Sequence, residues 1–286
     1  MTDSEGAPES NRDPSWRELL RELEVTPSKA LGQNFLHDRK IVRRIVDVAG
    51  VDRETDVFEI GPGLGILTRE LVASARSVTA VELDRRLAMR LKEYFGDSAR
   101  IIEGDILEVD LEAIAPERPY TVVANLPYSI ATAAIQRLLE AETPPERMIV
   151  MVQREVAQRM VARPPEMSIL AVAVQFYASA RIQFRIGSGA FIPKPRVESA
   201  VIRLDIHPEL PLDQKHHRGF FAIVRAGFSQ RRKRIDNAIS AGLGLQKSLI
   251  AERLQAAGIE PSRRAETLDV PDWIRLFHHL KDSVDG

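Results

Sequence analysis

A glycine-rich stretch preceded by an acid is the first part of the chain whose residues could bind a ligand. Residues 59–65 read Glu-Ile-Gly-Pro-Gly-Leu-Gly; they begin within the run 57–60 and lead into a helical pattern. Glycines at such a turn let the backbone approach a ligand that Cβ atoms would exclude. A dinucleotide fingerprint needs glycine in the sixth position of G-x-G-x-x-G, where this chain has Ile66. This difference disfavours a nicotinamide oxidoreductase.

Two further acids follow the next two apolar runs. Glu82 lies in Val-Glu-Leu-Asp at 81–84, and Asp105 lies in Glu-Gly-Asp-Ile at 103–106. Ligands bind at the carboxyl ends of strands in open α/β sheets. S-adenosylmethionine carries a sulfonium and an amino acid tail, and it has no pyrophosphate to place on a helix N-terminus. We expect Glu82 to accept hydrogen bonds from its ribose and Asp105 from its adenine amino group, although Asp105 alone could be a helix cap.

A short motif after the fourth apolar run could act on an exocyclic amine. Residues 125–128 read Asn-Leu-Pro-Tyr and resemble the N/D-P-P-Y/F motif of methyltransferases that modify nucleobase amines. Adenine N6 is a poor nucleophile until hydrogen-bond acceptors draw its protons out of the ring plane, and the Asn125 side-chain oxygen and the Leu126 carbonyl are such acceptors. Pro127 fixes the turn. We expect Tyr128 to stack on a base that has left its helical stack.

Seven short β-branched runs must position these residues. Most are separated by helix-length segments, which indicates parallel βαβ units. The last two are too close for a helix and predict an antiparallel hairpin at the sheet edge. The predicted fold is α/β, a seven-stranded doubly wound Rossmann-like sheet with a small C-terminal helical domain. The runs are 57–60, 78–81, 100–102, 121–124, 148–152, 181–186 and 200–206.

The remaining sequence predicts the domain organisation. Residues 1–14 lack a periodic apolar pattern and are expected to be a disordered tail, followed by a short helix over 15–23. A second helix is predicted from an Asp38 N-cap to Gly50. We expect a methyltransferase domain over 15–207 and a helical domain over 208–286, which begins with a linker at 208–211.

Composition narrows the class of protein. The 286 residues contain no cysteine, which excludes disulfides, thiolate metal sites and cysteine nucleophiles. No apolar run is long enough to span a bilayer and the N-terminus lacks a signal pattern, so we expect a soluble, cytoplasmic protein. The two adjacent histidine pairs diverge on a helix, so no metal site is expected.

The net charge of −1 conceals a basic segment. Residues 215–234 hold seven Lys or Arg and no acid. Such a run is often only a solvated helix face. It could also neutralise RNA phosphates without selecting sequence, and we expect RNA binding by Arg225, Arg231, Arg232, Lys233 and Arg234.

Several motifs together resemble one family, the small-subunit ribosomal RNA adenine dimethyltransferases of the KsgA type, over about residues 15–280. Besides the stretches above, they include Leu-Gly-Gln-Asn-Phe-Leu at 31–36, Gln-Arg-Glu-Val-Ala at 153–157 and Phe-Ile-Pro-Lys-Pro-Arg-Val-Glu-Ser at 191–199. The loop 163–170, Arg-Pro-Pro-Glu-Met-Ser-Ile-Leu, departs from the family pattern and puts RNA contacts near it in doubt.

The resemblance implies dimethylation of N6 on two adjacent adenosines in the 3′-terminal hairpin loop of small-subunit rRNA, with S-adenosylmethionine as cofactor, by a protein expected to be a monomer. It implies that Phe191 provides a second aromatic face opposite Tyr128, and that Gln33 and Phe35 close the pocket mouth. The implied cofactor contacts are Asn34, Leu36, Gly61, Gly63, Glu82, Asp105 and Asn125.

Two alternatives stay open from the sequence. One is a large-subunit rRNA adenine methyltransferase of the macrolide-resistance type, which shares the catalytic domain. The other is a non-catalytic ribosome-assembly factor that keeps the fold.

Overall fold

The computed structural model describes residues 18, 20–21, 33–117 and 119–284. The predicted tail 1–14 lies outside them, and of the predicted helix 15–23 only Glu18, Leu20 and Arg21 are described, all helical. Within the described ranges the strands are β1 Phe35–Leu36, β2 Asp56–Ile60, β3 Ser77–Glu82, β4 Arg100–Glu103, β5 Tyr120–Asn125, β6 Arg147–Gln153, β7 Ala178–Ile186, β8 Phe191–Ile192 and β9 Ser199–Ile206.

The α-helices of the same ranges alternate with these strands and then continue alone. They are α1 Arg39–Ala49, α2 Ile66–Ser74, α3 Arg85–Phe95, α4 Leu111–Ile114, α5 Ala131–Leu139, α6 Arg154–Met160, α7 Ile169–Tyr177, α8 His217–Phe228, α9 Ile235–Leu243, α10 Lys247–Ala256 and α11 Val270–Leu280. The predicted change from mixed to purely helical structure after residue 207 is therefore present. The domain bounds 15–207 and 208–286 stay a prediction.

The main sheet has seven strands in the order β4-β3-β2-β5-β6-β9-β7. The first five in this order are parallel, whereas β9 is antiparallel to both β6 and β7. The predicted seven-stranded doubly wound sheet and its antiparallel edge hairpin are confirmed. Strand order reverses between β2 and β5, which creates the switch point where ligands bind in such sheets.

Alternation along the strands buries both faces of the sheet. On β2, Phe58 and Ile60 face one apolar cluster and Val57 faces another. The second cluster is completed by α1, whose predicted N-cap is confirmed because the Asp38 carboxylate accepts the N–H groups of Lys40 and Ile41. A separate two-stranded ladder joins β1 to β8 and brings residues 33–36 against the 191–199 segment.

The C-terminal helices extend the first cluster instead of forming a separate core. Phe176 at the end of α7 stacks on Phe220 of α8 with ring centroids 4.7 Å apart, and both belong to the cluster that contains Phe58. The atypical loop 163–170 contacts the C-terminal helical segment as well, because the Met167 N–H donates to the Glu266 carbonyl at 3.0 Å. None of the described helices is long and apolar enough to cross a membrane.

One glycine tests how closely the C-terminal helices pack. A Cβ added at Gly227 in α8 would overlap Cη2 of Trp273, which is fully buried on α11. Alanine normally stabilises a helix interior by about 1 kcal/mol over glycine. Because this added methyl must displace a buried indole, we expect Gly227→Ala instead to destabilise the protein by about 1–3 kcal/mol in urea unfolding. Gly189→Ala, where a Cβ meets nothing within 4 Å, is the control and should leave the midpoint unchanged.

Candidate active site

A pocket opens at the carboxyl ends of β2, β3, β4 and β5. It lies at the switch point of the sheet, where ligands bind in open α/β folds. Most of the residues predicted from the sequence come together here. Those that line it are Asn34, Gly61, Gly63, Glu82, Asp105, Asn125, Leu126, Pro127 and Tyr128. Gln33 and Phe35, predicted to close its mouth, line it as well.

Glu82 connects the glycine loop to the end of β3. Its Oε2 accepts the N–H of Gly63 and its Oε1 accepts the N–H of Asp84, both at 2.9 Å. Gly63 adopts a φ of 58°, a left-handed conformation that favours glycine and turns its N–H toward the carboxylate. Burial raises the pKa of Glu82, and the N–H groups of Asp84 and Gly63 oppose this rise. The two donors hold the carboxylate in one orientation at the pocket wall.

Asp105 stabilises a turn instead of capping a helix, since the N-cap of the following helix, α4, is Asp110. Its Oδ1 accepts the N–H of Leu107 at 2.8 Å, so the side chain does stabilise the turn after β4. The residue also lines the pocket, and this single turn contact leaves Oδ2 available to a ligand. The neighbouring Asp84 is a plain helix cap, since its carboxylate accepts the N–H groups of Arg86 and Leu87 at the start of α3.

The side chain of Asn125 is oriented by the N-terminal segment. Its Nδ2 donates to the backbone carbonyl of Asn34 at 3.1 Å. A carbonyl can only accept, so this contact identifies the atom that faces Asn34 as nitrogen. Oδ1 is consequently the atom left over as an acceptor at the end of β5. This is the acceptor that chemistry at an exocyclic amine requires.

Tyr128 stands at the end of the same loop with its hydroxyl anchored. The phenol is 2.6 Å from Oγ of Ser199, the first residue of β9. Burial raises the pKa of Tyr128, against the opposing effect of this hydrogen bond, so the phenol is neutral at physiological pH. Between Asn125 and Tyr128, the Pro127 carbonyl accepts the N–H groups of Ile130 and Ala131 and starts the next helix. The short motif is therefore held at three points.

Two predicted residues lie outside this pocket. Leu36 and Phe191 are partners in the ladder between β1 and β8, and both side chains pack into the apolar cluster beneath α1. Leu36 lines a smaller adjoining chamber below the glycine loop. Phe191 is only 2% exposed, because its strand pairs with β1 and its ring joins the core. Its predicted role as a second aromatic face stays a prediction.

The sequence predicted no role for Glu59, the acid that precedes the glycine-rich stretch. The residue is 1% exposed and lines the smaller chamber with Leu36 and Asn125, and within the described ranges neither carboxyl oxygen has a hydrogen-bond partner of good geometry. Burial raises the pKa of Glu59 to about 8; the nearby Thr68 hydroxyl opposes the rise and the charge of Glu82 adds to it. A buried carboxyl without a donor fits a cationic group of a ligand. The position of Glu59 in the run 57–60, between Phe58 and Ile60, indicates burial, but nothing in the sequence shows that it lacks a hydrogen-bond donor.

The predicted RNA contacts fall into two groups. Arg225 is exposed beside a second groove, which it lines with Arg218 and Glu140 where β9 ends and α8 begins. Arg231, Arg232 and Lys233 are exposed in the turn after α8 and make no ion pair with any residue the structure describes. Arg234 differs, because it pairs with the buried carboxylate of Asp236 at 2.9 Å.

Within the described part of the chain, no group of three or more His, Asp or Glu could hold a metal ion.

Comparison with known proteins agrees with this geometry. The family model described as ribosomal RNA adenine dimethylase matches residues 26–282. The ribosomal RNA small subunit methyltransferase A of Dehalococcoides mccartyi is 41% identical over 263 residues, covering 91% of this chain and 90% of its own. The protein of the same name from Geobacillus thermodenitrificans is 41% identical over 276 residues, covering 92% and 94%.

Solved structures share the fold over most of the chain. The crystal structure of the 23S rRNA methyltransferase ErmE superposes with a TM-score of 0.70 at 29% identity, covering 87% of this chain and all of that one. The dimethyladenosine transferase from Plasmodium falciparum superposes with a TM-score of 0.76 at 22% identity, covering 87% and 98%. With the match over almost all of its length, the chain belongs to the ribosomal RNA adenine dimethylase family.

Proposed function

We propose that this protein dimethylates N6 of adenine in small-subunit rRNA, with S-adenosylmethionine as the methyl donor. Its targets are two adjacent adenosines of the 3′-terminal hairpin loop in the immature small subunit, and each receives two methyl groups. The observation that carries the proposal is the amide of Asn125. Its nitrogen is engaged by the Asn34 carbonyl, and its oxygen is the remaining acceptor beside a proline and a tyrosine that line the same pocket. The relatives named for small-subunit rRNA, at 41% identity, support this substrate over large-subunit rRNA.

The pocket has the donors and acceptors that S-adenosylmethionine requires. The orphan carboxyl of Glu59 in the smaller chamber suits the ammonium of the amino acid tail. Glu82 keeps lone pairs on both oxygens beyond its two backbone contacts, which suits the ribose hydroxyls. Asp105 has Oδ2 for the adenine amino group. Asn34, Leu36, Gly61 and Gly63 complete the cofactor site by close backbone approach.

The residues at the end of β5 prepare the amine for attack. When bound, S-adenosylmethionine supplies an electrophilic methyl group on a sulfonium. Oδ1 of Asn125 and the Leu126 carbonyl accept hydrogen bonds from the two N6–H groups and thereby localise the nitrogen lone pair. Each methyl transfer then releases one N6 proton to solvent. Tyr128 supports the flipped base and fixes its distance from these acceptors. After one methylation a single N–H remains, and one acceptor suffices to hold it.

The exposed turn after α8 is the proposed RNA contact. Arg231, Arg232 and Lys233 are unpaired within the described ranges and can neutralise phosphates, whereas Arg234 is partly satisfied by Asp236. α8 packs against the end of α7 through Phe220 and Phe176, and its 12 residues place the turn about 18 Å from the start of the helix. We propose that the protein acts as a monomer in the cytoplasm, where small subunits are assembled.

The first experiment is methyl transfer by the Asn125→Ala variant. We expect the rate of labelled-methyl transfer from S-adenosylmethionine to immature small subunits to fall at least about 100-fold, as when a positioned transition-state partner is removed. Mass spectrometry of the nucleosides should find N6,N6-dimethyladenosine with the wild-type protein. Asn237→Ala, on α9 and remote from the pocket, is the matched control. Near-normal turnover by Asn125→Ala with normal cofactor binding would show that the proposed mechanism is wrong.

The same assay, run in parallel on immature small subunits and on large-subunit RNA, separates the two alternatives. Incorporation confined to large-subunit RNA would indicate the resistance-type activity. Cofactor binding without incorporation into either subunit would indicate an assembly factor.

Glu59 predicts a pH dependence. Its pKa in the folded protein, about 8, exceeds its ordinary value of 4.5, so burial favours the protonated form and wild-type stability declines as pH rises between these values. A cationic ligand favours the carboxylate, so cofactor affinity should rise with pH up to about 8. Glu59→Gln should bind the cofactor more weakly, without this pH dependence, and unfold at higher temperature than wild type at pH 8. Calorimetric titration in two buffers checks this; equal proton release by both proteins would contradict it.

The basic turn predicts a salt dependence. In the triple variant, Gln replaces Arg231, Arg232 and Lys233. The plot of log binding constant against log salt concentration has a negative slope, and we expect the variant to make this slope shallower by about two to three, because each lost phosphate contact removes about 0.7–0.9. Binding of a small-subunit rRNA hairpin fragment at several salt concentrations measures the slope. Arg225→Gln is the comparison, since Arg225 lines the separate groove. An unchanged slope in the triple variant would remove the turn from the RNA interface.

A further inference from the structure

The hydroxyl of Ser199 is the anchor for the ring of Tyr128. The two oxygens are 2.6 Å apart, and no other described residue hydrogen-bonds to the Tyr128 hydroxyl. Ser199 is completely buried, at 0% exposure. A buried hydroxyl requires a partner, and here its partner is a side chain at the wall of the proposed active site.

The place of Ser199 in the sheet fixes its backbone on both sides. It is the first residue of β9, which lies between β6 and β7, and it is opposite Gln153 on one side and Ile186 on the other. The preceding residue is fixed as well, since the Glu198 carbonyl accepts the Arg154 N–H at 2.9 Å and the two side chains form an ion pair. A serine that is paired with a strand on each side presents its hydroxyl in a fixed position.

Tyr128, in contrast, lies on the loop between β5 and α5. A tyrosine ring can still rotate and shift when only its backbone is fixed. The hydrogen bond to Ser199 removes that freedom at the far end of the ring. Asn125, three residues earlier, is anchored separately by Asn34, so the acceptor and the stacking surface are each fixed by a different part of the chain.

We infer that Ser199 is a positioning residue for methyl transfer: its hydroxyl holds the Tyr128 ring at the height and tilt that bring N6 of the flipped adenine to the acceptors on Asn125. The inference rests on the proposed function, because it takes Tyr128 to be the surface on which the base stacks. It also gives a role to the serine that closes the 191–199 segment. Ser199 acts only through Tyr128 and does not touch the base itself.

A double-mutant cycle tests the inference. Ser199→Ala and Tyr128→Phe each remove the hydrogen bond, the first from the sheet and the second from the ring, while the stacking surface is kept. We expect each single variant to lower kcat for rRNA methylation by roughly tenfold to a hundredfold, the range in which small misplacements act. The double variant should be no slower than the slower single variant, because both changes remove the same interaction.

The controls distinguish positioning from stability. Tyr120→Phe removes another tyrosine hydroxyl contact, to the Thr143 carbonyl at 2.9 Å, and should leave kcat unchanged. Active protein is counted by cofactor binding, whose Kd should stay within about twofold of wild type in all variants, since none of the changes alters a proposed cofactor contact. If Ser199→Ala folds poorly, Tyr128→Phe still reports on the same bond without altering the core.

The outcomes separate this inference from the proposed function. Multiplicative losses in the double variant, or singles with wild-type kcat, would overturn the role of Ser199. If Tyr128→Ala kept full turnover, the stacking role of Tyr128 and this inference would both be wrong. If Tyr128→Ala were inactive while Tyr128→Phe and Ser199→Ala were fully active, the proposed function would stand and only the positioning role would fail.

Discussion

Strands β2 and β5 lie side by side and parallel, and the chain continues from them toward opposite edges of the sheet. The loops that follow them therefore diverge and leave a gap at their carboxyl ends. The glycine loop after β2 and the 125–128 motif after β5 form the two sides of this gap, and the ends of β3 and β4 add Glu82 and Asp105. A ligand bound in this gap can contact all four of these segments at once.

The pocket concentrates polar groups that the protein itself leaves incompletely satisfied. Glu59 is buried without a hydrogen-bond donor in the described ranges, and the amide of Asn125 has used only its nitrogen. The buried carboxyl of Glu59 opposes folding because it has lost water without gaining a partner, whereas Asn125 lines the open pocket. A ligand that carries a cation and several hydrogen-bond donors supplies the partners that both residues lack. These unused acceptors thus select the ligand.

Hydrogen bonds from segments distant in sequence hold the side chains of Asn125 and Tyr128 in place. The β1–β8 ladder brings Asn34 to Asn125, and the central position of β9 brings Ser199 to Tyr128. Both anchors are neutral hydrogen bonds, so their geometry does not depend on pH near neutrality. The C-terminal helices share an apolar cluster with the sheet, which gives the basic turn after α8 a fixed relation to the pocket.

The sequence by itself determined the class of fold and most of the pocket. Local patterns were sufficient for this because strand runs, helix caps and glycine turns depend on near neighbours, and the carboxyl ends of parallel strands must share one edge. Glu82, Asp105 and Asn125 were found in this way. The small-subunit substrate followed from the resemblance of the motifs and not from any spacing.

Tertiary structure alone decided the features that depend on residues far apart in the chain. Pairing of β8 with β1 places the Phe191 ring in the core, and packing around β2 leaves Glu59 without a donor in the described ranges. Ser199 contacts Tyr128 across 71 positions of sequence. Arg225 lines a groove that does not include the turn at 231–233. None of these has a local signature, because burial and hydrogen bonding between distant segments are set by the packing of the whole sheet and its helices, which periodicity does not encode.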